Sequence, residues 1–301
     1  MKTKICLVLC VMIVLCGTGV FAEGSAEMAN ERSFSLKGIK TISIEYSSGR
    51  LVFMEGADDT FSFREYLSGD NPDYHALSSS TGGIITVEPG RRPWFRHLRA
   101  RLEVYIPRSF EGDYRVLLGS GSIEARTGIT ASGVIAVEVT SGVTRLQSLN
   151  APDIKLRSQS GSIYAESLYG NTDIRVSSGG LNISRMHGSE HQVRLLSGSA
   201  EIEAASGAGR FSSASGNIKL GITSLNGNLD FDISSGGLDL NLPLGAAFNL
   251  DAETSSGRVK VESGADTFSV RNRSSVVRPV GDNPEFTIRI AVSSGNITLR
   301  R

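Results

Sequence analysis

His187-Gly188-Ser189-Glu190-His191 has the H-x-x-E-H spacing of inverted zinc peptidases, in which two histidines on one helical face hold the metal and a glutamate serves as base. The surroundings do not suit that chemistry. The segment follows Met186 directly, contains Gly-Ser and falls where a repeat calls for a turn, so an exposed turn is expected and no metal ligand or cofactor is assigned. Three carboxylate pairs, Glu201/Glu203, Asp230/Asp232 and Asp251/Glu253, are spaced two apart, which on a strand directs both members outward. Glycosidases and polysaccharide lyases gather such acids in one groove beside sugar-stacking aromatics. Here the pairs fall on different repeats with few aromatics nearby. A solvated face is expected, with a glycan-processing enzyme as the rival reading. The chain holds no G-x-S-x-G, G-x-G-x-x-G or P-loop pattern, so nucleophilic catalysis and nucleotide binding lack a motif.

The one charge-dense stretch that also carries aromatics runs from Arg91 to Arg101 and contains the sole tryptophan. Arg91, Arg92, Trp94, Phe95, Arg96 and Arg99 are candidates for contact with lipid headgroups, an anionic glycan or a protein. The alternative is an insertion loop whose Trp94 and Phe95 cover the end or flank of the fold.

What positions these residues is a repeat. Ten Ser-Gly pairs flanked by alternating side chains begin at Ser48, Ser120, Ser141, Ser160, Ser178, Ser197, Ser215, Ser235, Ser256 and Ser294, and from Ser120 to Ser256 these recur every 18–21 residues. Each is flanked by period-two apolar alternation, as in Ile174, Val176, Ser178, Gly179, Leu181, Ile183, the mark of short strands meeting at a corner. Short strands in a fixed period must stack to bury their inner faces. The fold class expected is all-β, a parallel β-solenoid of about a dozen coils with ~19 residues per coil. Carrying the alternation through the corner places each serine inside, where stacked hydroxyls would bond from rung to rung. The glycines, Gly49, Gly121, Gly142, Gly161, Gly179, Gly198, Gly216, Gly236, Gly257 and Gly295, would supply the turn. Second turns are expected at Gly170-Asn171, Gly188 and Asn226-Gly227.

The stretch IPRSFEGDYRVLLGSGSIEAR, Ile106 to Arg126, and the Ser-Gly coils that follow it resemble the bacterial putative-adhesin family, a domain of unknown function. The resemblance implies a β-solenoid associated with the cell envelope and brings no catalytic residues.

Lys2 and Lys4, the apolar run Ile5 to Leu15 and Val20-Phe21-Ala22 read as a secretory signal over residues 1–22. Residues 23–33 are then a flexible N-terminal segment. The solenoid occupies 34–301, with irregular coils and insertions over 34–118 and the regular repeat over 119–301; a separate small β-sandwich at 34–110 is the lesser alternative. All three cysteines lie in the leader, and Cys16, preceded by Leu15 where lipoprotein signals use a small residue, is a poor lipidation site. The charge is balanced at 31 Lys+Arg against 31 Asp+Glu, which disfavours nucleic acid as a partner. No later run is long enough for an integral membrane span. The reading is a non-enzymatic extracytoplasmic protein, periplasmic, secreted or at the cell surface, that binds a protein or cell-envelope component. Self-assembly through solenoid ends is a third possibility, but the terminal Arg300-Arg301 would guard the last strand, so a monomer is expected.

Overall fold

A computed structural model describes residues 26–69, 71–93, 98–263, 267–271 and 274–301. These residues are all-β apart from one 3-10 turn, Pro72–Tyr74. In chain order the strands are β1 (Glu27–Ser35), β2 (Thr41–Glu55), β3 (Thr60–Leu67), β4 (Leu77–Thr81), β5 (Ile84–Glu88), β6 (Ala100–Ile106) and β7 (Asp113–Thr130). There follow β8 (Val134–Ser224), which winds through several turns, β9 (Leu229–Asn241), β10 (Phe248–Glu262), β11 (Phe268–Arg271), β12 (Ser274–Val280) and β13 (Phe286–Arg300).

The centre is a parallel stack held in register by the Ser-Gly pairs. Ser48 lies beside Ser120 and Ser120 beside Ser141. Ser215 lies beside Ser235, Ser235 beside Ser294, and Ser294 beside Ser256. Inside β8 the glycine column continues through Gly142, Gly161, Gly179, Gly198 and Gly216, each packed on the carbonyl of the one before. Aliphatic residues fill the interior in columns, such as Leu51, Ile123, Ile163 and Leu181, each contributing about 1.5–3 kcal/mol on full burial. Phe211 and Phe231 occupy adjacent rungs of one column and stack at 5.3 Å.

At the corners the structure departs from the expected pattern. All ten serines of the repeat pairs are exposed, so they form no hydroxyl column in the interior. The reason is a change of phase. Between inward Val176 and inward Leu181 the chain places both Ser177 and Ser178 outside, because a convex corner turns both side chains away from the core. Glycine is required on two counts, shown by Gly216. Its φ is +146°, which penalises an L side chain by about 1–2 kcal/mol. A β-carbon there would also fall inside the carbonyl oxygen of Gly198. The second turns form a parallel column in which Gly170, Gly188 and Gly207 succeed Ala151.

The sheet is mixed, since both ends are closed by antiparallel strands. The outer edge of β2 is covered by β5 along Thr41–Ile44 and by β6 along Arg50–Glu55, both parallel. β4 then pairs antiparallel with β5, β3 with β6, and β1 with β3. Thr41–Glu55 is a full rung of the stack, β5 and β6 lie parallel over its two arms, and β1, β3 and β4 add the antiparallel strands that cap this end. Strands β3 and β6 alternate without a Ser-Gly corner, so they run straight, pair antiparallel and end the stack. Of the N-terminal segment, residues 27–33 supply most of β1, which pairs with β3 from Glu27 onward. Residues of the proposed leader lie outside the described part of the chain.

The stack also does not follow sequence order. β13 lies between β9 and β10, pairing parallel with both, and β10 is the outermost full rung. Ser274 and Ser275 belong to β12, which runs antiparallel to β10 together with β11. Arg300 and Arg301 therefore do not guard a solenoid end. The Arg300 guanidinium bridges Asp239 in β9 and Glu262 in β10, and Arg301 bonds the Ser263 hydroxyl and the Ala246 carbonyl.

Candidate interaction surface

Within the arginine-rich stretch the described residues divide. Arg92, expected at a contact surface, is buried, with 8% of its side chain exposed, and forms an ion pair with the fully buried Glu65 of β3. Its Nη2 also donates to the Tyr46 hydroxyl at 2.8 Å, its Nε donates to the Tyr74 carbonyl at 3.0 Å, and its guanidinium covers the Tyr46 ring. Glu65 accepts from the Tyr46 hydroxyl at 2.7 Å and from the Ala76 N–H at 2.6 Å. Burial, reinforced by the Glu65 carboxylate, pushes the Tyr46 phenol up, so it remains a donor. This cluster fastens the cap to β2, and a lone buried Glu65 would be strongly destabilising without its cation. The side chains of Arg91 and Arg99 are exposed, and Trp94, Phe95 and Arg96 lie outside the described residues.

His187 and His191 point to different places. His187 is at the second corner, stacked on Tyr169 at 5.7 Å, with Nδ1 2.9 Å from the Ser206 hydroxyl. His191 is buried, with Nε2 2.8 Å from the Ser206 carbonyl and Nδ1 3.0 Å from the Thr172 hydroxyl. Nε2–H donation to the carbonyl leaves Nδ1 to accept from Thr172, so both ring nitrogens of a neutral imidazole are used. Burial holds its pKa below the ordinary histidine value. His191 is therefore a core residue and not the exposed turn expected; Gly188 and Gly207 leave room for its ring.

The carboxylates are tied to neighbouring rungs. Glu201 pairs with Lys219 at 2.6 Å, Asp251 with Arg289 at 3.1 Å and Asp230 with Arg210 at 3.7 Å. Glu124, held between Arg126 and Arg50, has its pKa lowered to about 2. Charge alternation from rung to rung is thus the rule on the outer faces.

One column breaks the rule. Arg157, Arg175 and Arg194 each stand four residues before a corner glycine, namely Gly161, Gly179 and Gly198, and these glycines stack directly on one another. Three guanidinium side chains therefore project from adjacent rungs of one flat face. Arg157 reaches Glu138 at 3.8 Å and Arg175 is gripped by Asp173 at 2.9 Å; Arg194 makes no ion pair among the described residues. Two shallow grooves cross this face, one lined in part by Arg115, Glu138, Lys155 and Arg157, the other by Arg175, Arg194, Leu196 and Ser212. The sequence reading missed this row because the three arginines are 18–19 residues apart, and only alignment of the coils on their glycines brings them together.

One solved structure shares the fold at a TM-score above 0.5. A putative adhesin from Parabacteroides distasonis superposes with a TM-score of 0.51 at 8% identity, over 92% of this chain and 98% of that one. A putative adhesin from Parabacteroides merdae gives 0.49 at 10% identity, over 90% and 95%, and one from Bacteroides fragilis 0.44 at 12%, over 90% and 96%. At 8% identity the first likeness is one of fold. No curated protein matches the chain. Residues 39–300 match the Toastrack DUF4097 domain, whose function is unknown, and the chain belongs to that family.

Proposed function

We propose that this protein is a non-enzymatic, extracytoplasmic β-solenoid that binds a cell-envelope component or protein through its lateral faces. The observation that carries the reading is the in-register stack itself, which turns single residues into long outward columns and gives flat faces instead of a cleft. The candidate acids of the glycan-processing alternative are dispersed along those columns, and several are held by cations of adjacent rungs. The adhesin names of its structural neighbours point the same way. No helix among the described residues is long and apolar enough to cross a membrane, and the leader-like N-terminus directs the chain out of the cytoplasm.

The test is retention of envelope fractions on immobilised protein, with release of reducing sugar ends assayed in parallel. Saturable retention without sugar release is expected. Turnover of an envelope polysaccharide that disappears in a Glu201→Gln or Asp230→Asn variant would establish the enzyme instead.

A further inference from the structure

We infer that the row formed by Arg157, Arg175 and Arg194 is a docking strip for a linear acidic polysaccharide lying along the stack. This rests on the binding role proposed above and names its partner. The rungs are about 4.8 Å apart, so three like charges stand closer together than a Debye length. Elsewhere on the outer faces charges meet opposite charges, as in the Asp239–Arg300–Glu262 and Arg210–Asp230 contacts. Within the row Arg157 and Arg175 are each met by one carboxylate, Glu138 and Asp173, and Arg194 by none among the described residues, so three guanidiniums face two carboxylates and an anion lying along the row would balance the excess. Lys155 and Arg210 are exposed on the same face in the neighbouring column, with Asp173 and Gln192 between them.

The shape selects the ligand. The row is one residue wide, runs along the stacking direction and lies on a flat sheet crossed by shallow grooves. Guanidinium forks grip carboxylate and sulfate in a bidentate manner, and a polymer with an acidic group recurring along its length presents one anion after another to such a row. An anionic bilayer pressed on the whole face would also meet Asp230, Asp232, Asp251 and Glu253 at the far end of the same two columns. Single-stranded nucleic acid is recognised by aromatic platforms, and the strip has none among its described residues.

Binding of the purified full chain to polygalacturonate and to heparin is measured against neutral dextran and phosphatidylglycerol vesicles. A variant carrying R157Q, R175Q and R194Q is compared with one carrying R32Q, R108Q and R258Q, which removes equal charge elsewhere; thermal unfolding confirms that both fold. Binding of at least one acidic polymer, weakened by added salt and at least ten-fold by the first variant only, is expected. Equal loss in both variants, no effect of the first, or binding to vesicles but to neither polymer overturns the assignment. Retention of envelope fractions by the R157Q/R175Q/R194Q variant at wild-type level would sink the strip while leaving the broader binding role standing.

Discussion

Single side chains in the interior show where this stack is imperfect. Ser158, Ser213 and Thr254 are buried at one inward position of different rungs, and their hydroxyls find no partner among the described residues. Thr254 lies in register with Val292 of β13 on one side and Ser274 of β12 on the other, and its hydroxyl bonds to neither. A buried unpaired hydroxyl costs about 1–3 kcal/mol, and Thr254→Val keeps the shape while removing the polar atom. The variant is expected to be more stable by about 1 kcal/mol, read as a higher midpoint in urea at unchanged slope. His191 sets a pH dependence. Its folded pKa lies below its unfolded one because burial disfavours the cation, so the unfolded chain takes up a proton as pH falls through about 6.5 while the folded chain does not. Stability should therefore decline between pH 7.5 and 5.5. His191→Gln, which removes the titrating group, should flatten that slope; an equal slope in thermal melts of the two proteins would count against the assignment.

At the scale of the element, the corner governs. Each glycine holds φ between +117° and +158° at the two kinds of corner where such values occur, and its missing β-carbon lets one rung approach the next. Gly216→Ala meets both the backbone penalty and the Gly198 carbonyl, so a loss of about 2–4 kcal/mol is expected. The same substitution at Gly245, at a loop with φ +80° and open space around it, should cost only about 1–2 kcal/mol. Equal denaturant midpoints for the two variants would mean that close approach at the corner matters little. The serine of each repeat Ser-Gly pair is exposed and contributes a small side chain, not a buried hydrogen bond.

For the molecule as a whole, the position of β13 matters most. A strand inserted between β9 and β10 makes the last residues of the chain an interior rung. Ending the chain at residue 285 should unseat β10 with its β11–β12 cover and leave β9 with an open edge. The truncated protein is expected to aggregate or lose cooperative unfolding, whereas a sequentially wound stack would tolerate the loss of its last turn. Light scattering and a thermal melt distinguish the two. The intact protein should stay monomeric because its terminal strands are poor templates: β12 carries Pro279, and β1 carries Glu27, Glu31 and Arg32 with a register break between Met28 and Asn30. Concentration-dependent filaments would contradict this.

The period of the Ser-Gly pairs, the alternation around them and the need for glycine at each corner were legible from the residues alone, because they are local. A strand's facing pattern and a backbone's handedness depend on neighbours a few positions away. The inward serine failed because alternation is a property of straight strands, and the corner adds a residue that shifts its phase. Arg92 looked like surface because nothing near it in the chain announces Glu65 and Tyr46. The order of the rungs, with β13 between β9 and β10, and the meeting of Arg157, Arg175 and Arg194 on one face are non-local. They follow from which edges remain unpaired once the whole chain is wound, and equally good registers recur at every repeat of so regular a sequence.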